Sequence, residues 1–530
     1  AYEIGVRLVG SEMCIRDRSS TGHGNLIRSG VDITVHEVHG YGDFDGHVSS
    51  GGILGTSDDS IISHSSYTGN VFGPYQIGGI VANIDHILNE SQYYGYAYGD
   101  GSSDDVGGIT GVSSGLVKGA KSYGGFGGLT AGGSHGGIVG RLEESSGFVK
   151  QSFTSSDTYG AGDGDAVGAI IGHSNSGGSA KNNYSIGSII DSLTYDYNIG
   201  GFAGFFSNAD FNYVDITLLN ASLANEDGGF IGDGYPLTAA ENNFWNASTS
   251  ISNAHDTVSG EVIESMEALD NTTIDDYAEY SSQGWSIWDF ADGSANLTDQ
   301  VWVMSNNIRS PRLVRELHPI CQLNINATKY DSIGGGTSLS DPHYICFTEQ
   351  LIDIGSNTVS GCNSVAPTST ACDRHFVMLN DIDLKGATIV PIGNSTDPFR
   401  GSFDGGGNTI TNLYMSMTST DRVGLFGTIS DMADFSVKNL KIKLANIIGR
   451  DYVGILVGNF YDGLIQNVEV HGTVSGRDNV GGMTGILAGT FKQGYSYVKV
   501  SGEDNIGGFT GVVWDSCDDC HAFGEIELAD

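Results

Sequence analysis

Across 530 residues the chain carries 80 Gly and only 8 Pro, with 24 Lys and Arg set against 63 Asp and Glu, a net charge of −39. Glycine at this frequency without a G-X-Y period excludes collagen, and recurring apolar groups argue against plain disorder. The acidic balance argues against nucleic acid or an anionic membrane surface as a partner, and no run of about 18 apolar residues suggests a membrane span.

Residues 1–18, AYEIGVRLVGSEMCIRDR, lack the Gly/Ser texture that begins at Ser19. The string SEMCIRDR resembles translated sequencing-adapter sequence, so this tail is set outside the fold as non-native.

Residues 19–241 read as a first repeat array. Its phrases are SGGILG at Ser50, IGGIVA at Ile77, VGGITG at Val106, HGGIVG at His135, VGAIIG at Val167, IGGFAG at Ile199 and DGGFIG at Asp227. From Gly78 the first glycines follow at Gly107, Gly136, Gly168, Gly200 and Gly228, in steps of 29, 29, 32, 32 and 28. A loose period of this length signals a solenoid, in which each unit buries its apolar face only by stacking on its neighbours.

Three acid pairs sit on Gly-rich turns of this array: Asp43 with Asp45, Asp104 with Asp105, and Asp163 with Asp165. Their oxygens suit Ca²⁺, and the same residues equally suit tight turns by bonding their own backbone. His36-Glu37-Val38-His39 is one residue short of a zinc-protease HExxH, and DITVHEVHG alternates as a strand does. In SQYYGYAYGD, Tyr94, Tyr96 and Tyr98 share a strand face, as an exposed sugar-stacking ladder or as structural packing.

Residues 242–316 break the rhythm and read as a closing segment and linker, with a short helix-like patch around Ile263 to Leu269. Residues 317–413 read as the cysteine-bearing opening of a second array. That array, residues 414–530, has phrases whose first glycines are Gly424, Gly454, Gly481 and Gly507, in steps of 30, 27 and 26. It reads as truncated, which makes the chain the tail of one array and the head of another. Between phrases the pattern has period 2: Leu440, Ile442 and Leu444 on one face, Lys441 and Lys443 on the other. Short strands between Gly, Asn, Asp and Ser turns predict an all-β fold, a parallel β-helix. The glycines are expected at its corners, allowing positive φ and close backbone approach.

Apart from Cys14, the cysteines are Cys321, Cys346, Cys362, Cys372, Cys517 and Cys520, an even number confined to the C-terminal half. They predict disulfides in an oxidising compartment, with connectivity open. Cys517-Asp-Asp-Cys520-His521 is half of a zinc pattern without a second half.

The V-G-G-x-x-G phrases resemble the GLUG-motif repeats of large bacterial surface and secreted proteins, repeats that also accompany the immunoglobulin A protease. DPHYICFTEQL, HFVMLNDIDL, PIG and FRGSFDGGGNTITNLYM are similar to the opening of such an array; NNFWN, QGW and SPRL are similar to its end. The resemblance implies a right-handed β-solenoid on an exported, adhesin-like protein, extracellular or on the bacterial cell surface. Its partner would be a glycan or protein ligand on another cell or surface, and no cofactor is required beyond the Ca²⁺ considered above. No GxSxG, P-loop or credible Cys-His pair appears, so no catalytic residues are assigned. Two alternatives stay open: a carbohydrate-active β-helix enzyme (polysaccharide lyase or glycosidase), and the repeat appendage of a protease whose catalytic domain lies elsewhere. Several carboxylates converging with a basic residue across adjacent coils would favour the enzyme; acids scattered on outer loops would favour adhesion.

Overall fold

The computed structural model describes residues 27–31, 34–46, 49–99, 105–128, 133–143, 146–161, 166–174, 178–190, 198–206, 208–210, 212–219, 230–233, 243–246, 257–258, 261–262, 266–269, 302–305, 309–356, 361–363, 371–430 and 436–528. The chain divides into two compact units at Leu313/Val314. Both are parallel β-solenoids.

In the first unit each complete coil has four short strands. One coil runs Gln76–Gly78, Val81–Ile84, Ile87–Asn89 and Gln92–Gly99; the next runs Asp105–Gly107, Thr110–Ser113, Leu116–Lys118 and Lys121–Gly128. Each strand pairs in parallel with its counterpart one period away, Ile77 facing Val106, Val81 facing Thr110, Leu88 facing Val117 and Tyr93 facing Ser122. Four stacked sheets result. Apolar ladders such as Ile62, Leu88, Val117, Val149 and Ala180 fill the inside. A ladder of this kind buries β-branched and Leu side chains that one coil alone would leave in water, at roughly 1.5–3 kcal/mol per large side chain.

One rung departs from this chemistry. His135 takes the place of Val or Ile between Val106 and Val167. It is fully buried, and neither ring nitrogen has a hydrogen-bond partner among the described residues. Burial lowers its pKa to about 4, so the imidazole is neutral at pH 7.

The glycine phrase is a seam of backbone contacts. None of Gly78, Gly107, Gly136, Gly200, Gly424, Gly454, Gly481 and Gly507 has a positive φ, so that part of the expected corner role gives way to the other part, close approach. A Cβ on Gly107 would overlap the carbonyl oxygen of Thr110 in its own turn and stand 2.9 Å from the Gly140 nitrogen of the next coil. A Cβ on Gly140 would in turn meet the Val106 nitrogen at 2.8 Å. First and third glycines thus interlock successive coils at Gly107 with Gly140, Gly136 with Gly172 and Gly200 with Gly232, and the same pattern joins Gly481 to Gly511 in the second unit. Gly228 lies outside the described residues.

Positive φ recurs two corners further on. His64, Glu90, Gly119, Gln151 and Asn182 all take it, at equivalent points between the third and fourth sheets. Each precedes an inward residue, and in several coils that residue is polar. The Ser152 amide donates to Asn183 Oδ1 (2.9 Å), the Asn183 amide to Asn212 Oδ1 (3.0 Å) and the Asn212 amide to Asn243 Oδ1 (3.0 Å). The side-chain amides repeat the linkage: Asn183 Nδ2 donates to Asn212 Oδ1 and Asn212 Nδ2 to Asn243 Oδ1. The ladder satisfies backbone groups that the sharp corner removes from the sheets, as buried polar groups require.

The fourth sheet continues past the last glycine phrase. Asn243–Asn246 pairs with Tyr213 and Val214, and Met266–Leu269 pairs with Asn243–Asn246, both in parallel. The helix-like patch around Ile263 to Leu269 is therefore a strand at Met266–Leu269. Tertiary pairing overrides the helical propensity of Met, Glu, Ala and Leu there. An antiparallel pair, Trp302–Ser305 with Arg309–Leu313, places Trp302 against Tyr184, where its indole N–H donates to Asn182 Oδ1 (3.1 Å).

The second unit opens with two short helices, Pro319–Gln322 and Thr348–Ile354, and two disulfides, Cys321–Cys346 and Cys362–Cys372. Its main sheet then stacks His343–Ile345, His375–Met378, Ser402–Asp404, Val437–Ile448, Leu464–Ser475, Thr490–Gly502 and Cys517–Phe523, all in parallel. The stretch expected as an opening segment thus supplies strands of the same sheet as the array that follows. A second sheet stacks Phe426–Ser430, Val457–Asp462, Thr484–Leu487 and Thr510–Val513. Along one corner Arg450 clasps Asp421 and Arg477 clasps Asp451, each through two hydrogen bonds to the preceding coil.

The third disulfide, Cys517–Cys520, lies on the strand stacked last on the main sheet, where Cys517 is exposed and Cys520 half-buried. Cys517 continues the ladder of Val437, Ile465 and Phe491; Cys520 continues that of Leu440, Val468 and Gly494. Two inward positions three residues apart are explained by Asp519, which takes positive φ as do Asn439, Asn467 and Gln493 before it.

Candidate functional site

The main sheet of the second unit presents one chemically varied outer face. Leu440, Ile442, Val468 and Val470 belong to the core, so the residues between and beside them point outward. Pairing sets them in two rows. One runs Thr409, Lys441, Glu469, Tyr495, His521. The other runs Thr411, Lys443, His471, Tyr497, Phe523, with an irregularity where Lys443 and Leu444 together oppose His471 and Leu444 takes φ 55°.

The rows meet in a compact ionic cluster. His471 Nε2 stands 2.6 Å from Glu469 Oε1 and donates to it; Lys443 Nζ stands 3.8 Å from the same oxygen. Lys443 and His471 are each 7% exposed. Burial pushes the Lys443 ammonium down to about 8, against the opposing pull of Glu469. Burial likewise lowers His471, which keeps it neutral, with Glu469 acting the other way. For Glu469, burial favours the neutral acid, but the hydrogen bond from His471 and the charges of Lys443 and Lys441 override it and hold the carboxyl below its usual range. The cluster rests as carboxylate, ammonium and neutral imidazole. Buried groups of this kind are costly to assemble for stability alone, and perturbed titrations gather at functional sites.

Aromatic rings extend the face. His471 stacks on Tyr497 (4.4 Å between centroids, 11° between planes), Tyr497 on Phe523 (4.9 Å, 13°) and Tyr495 on His521 (5.4 Å, 15°). Of these residues the sequence marks only Lys441 and Lys443 as outward. The missed signal is the coil-to-coil alignment of Lys441-x-Lys443, Glu469-x-His471, Tyr495-x-Tyr497 and His521-x-Phe523, which becomes visible once the register is known. Glu469 is in direct contact with both Lys443 and His471.

The other expected sites fall elsewhere. Asp43 Oδ1 accepts the Asn70 amide (2.8 Å). Asp45 is exposed on the strand that pairs with Phe72. Asp105 is buried and pairs with Arg141 (3.1 Å), so a guanidinium stands at this carboxylate. Asp104, Asp163 and Asp165 lie outside the described residues. No group of three or more His, Cys, Asp or Glu gathers as a metal centre among the described residues. Tyr94 is buried and stacked flat on Tyr123 (5.0 Å, 2°), Tyr96 is half-exposed, and Tyr98 meets Phe72 edge-on. His36 and His39 lie on separate short strands, bonded to Ser63 and Ser66 of the next coil. The six C-terminal cysteines form the three disulfides given above.

Over 101 residues, 19% of its length, the chain is 42% identical to a protein named Halomucin in Haloquadratum walsbyi, of which it spans 1%. Over 105 residues, 18% of its length, it is 35% identical to a protein described as a Gly-rich membrane protein in Evansella cellulosilytica, of which it spans 12%. The chain therefore covers a small part of the curated relatives it matches. No protein-family model matches it, and no solved structure does. No helix among the described residues is long and apolar enough to cross a membrane.

Proposed function

We infer that the chain acts as a non-catalytic repeat protein outside the cell, adhesin-like or a surface stalk, whose GLUG-type solenoids hold loops and faces toward a glycan or protein on another surface. The observation that carries this reading is the closed, self-stacking coil. Its interior is filled by ladders, its seam is backbone, and what varies from coil to coil is the outer face. The disulfides fit an oxidising compartment, and the names of the two relatives, Halomucin and a Gly-rich membrane protein, are compatible with a surface role.

Antibody raised against the folded chain tests this reading on intact cells and culture medium of the producing organism. Labelling of unpermeabilised cells, or recovery from the medium, is expected. Signal that appears only after permeabilisation would overturn it.

A further inference from the structure

We propose that the outer face formed by Lys441, Lys443, Glu469, His471, Tyr495 and Tyr497 is a binding site for an acidic polysaccharide, a polymer of sugars bearing carboxylates. The proposal rests on the surface-attachment reading and names the class of ligand.

Charge is the first argument. The whole chain is at −39, so a group of cations on one face is unusual for it. Lys441 and Lys443 point the same way from one strand. The adjoining row runs Asp404, Lys438, Gln466, Lys492 and Asp518, so each of its lysines faces one carboxylate in register. Lys438 is occupied by Asp404 (3.2 Å). Lys441 and Lys492 are exposed and have no ion-pair partner among the described residues. Glu469 serves both Lys443 and His471, while Asp381, which also acts on Lys443, sits one strand before Thr409 and accepts that residue's amide. Lys441 faces Glu469 in register, but that carboxylate is engaged by Lys443 and His471, so an anionic group drawn to Lys441 would supply a direct ion-pair partner.

Ring geometry is the second. Tyr495 and Tyr497 are partly exposed, but their faces are turned to His521, His471 and Phe523. They offer a ligand their edges, which suits hydrogen bonding to hydroxyl-rich sugars beside a cation better than flat stacking. Repetition is the third. The rows advance one residue per coil at the strand spacing of about 4.8 Å, so a polymer laid along them meets a new rung at every step. A single small anion would use only one.

Affinity electrophoresis of the whole chain through gels containing polygalacturonate or dextran tests the site. Retardation by polygalacturonate alone is expected, relieved at high salt, with at least a tenfold weaker interaction in a Lys441→Ala/Lys492→Ala variant. Both lysines are exposed, so that variant keeps the core, and an unchanged thermal transition checks this. Equal retardation by dextran, no retardation by polygalacturonate, or full binding by the variant would each overturn the proposal. Such a failure, with intact cells still labelled by antibody, leaves the attachment reading standing. Labelling only of permeabilised cells would remove that reading instead.

Discussion

Gly481 and Gly511 meet across the seam between two consecutive coils, with a Cβ on Gly481 falling 2.7 Å from the Gly511 nitrogen and 2.6 Å from the Thr510 Cα. Neither neighbour is the flexible end of a side chain. At Gly507, the equivalent glycine one coil on, the three nearest atoms all belong to Thr510 of its own turn. Gly481→Ala is therefore expected to destabilise the second unit by about 2 kcal/mol or more beyond Gly507→Ala, since overpacking against backbone cannot relax locally. Urea titrations of the two variants check this; equal losses would remove the inter-coil contact as the reason for the glycine.

Asn212 holds the middle of the buried amide ladder. It accepts from the backbone and side chain of Asn183, and donates to Ala180 and Asn243. Asn212→Ala leaves buried groups on both neighbouring coils without a partner, at a cost of about 2–4 kcal/mol. Chemical denaturation followed by a probe in the first unit should register that loss. A cost under about 0.5 kcal/mol would show that water replaces the amide freely.

His135 gives the first unit a pH dependence of defined sign. Its folded pKa, about 4, lies below the unfolded value near 6.5. Between these limits the unfolded chain binds the proton and the folded chain does not, so stability falls as pH drops from about 6.5 to 4. The full loss is about 3 kcal/mol, and below pH 4 the folded form protonates as well. His135→Val fits the ladder of Val106 and Val167 and should lack this component. The stability gap between variant and wild type should thus widen from pH 7 to 4.5, and parallel profiles would refute the assignment.

The disulfides lie in the second unit alone among the described residues. Cys321–Cys346 and Cys362–Cys372 close spans of 25 and 10 residues, for which loop-closure entropy gives about 3 kcal/mol each. Calorimetry with and without dithiothreitol should show the transition of the second unit moving down while that of the first stays in place. Movement of both transitions would mean that the units do not unfold independently.

Much of the architecture was legible in the sequence because both of its signals are local. The glycine phrase marks the turn, and alternation such as Leu440, Lys441, Ile442, Lys443 marks a strand with one face inside. What stayed hidden depends on a neighbour 26 to 34 residues away. The contact that Gly107 makes across the seam belongs to Gly140, and the amide that needs Asn212 belongs to Asn183. The outer ionic cluster depends in addition on the irregularity at Lys443 and Leu444, which sets that lysine against His471. No periodicity announces it. Glu90 and Gln151 likewise take positive φ because they stand at a corner fixed by the stack, although their own preferences do not favour it.

The seam has an evolutionary consequence. Coils that touch through hydrogen atoms and main chain at this point carry no side-chain match that a new neighbour could violate. One period gained or lost by unequal recombination brings together two junctions of the same shape, with no compensating substitution needed at the glycines. The array can therefore change length in single steps while the chemistry displayed on its flank is edited separately, coil by coil.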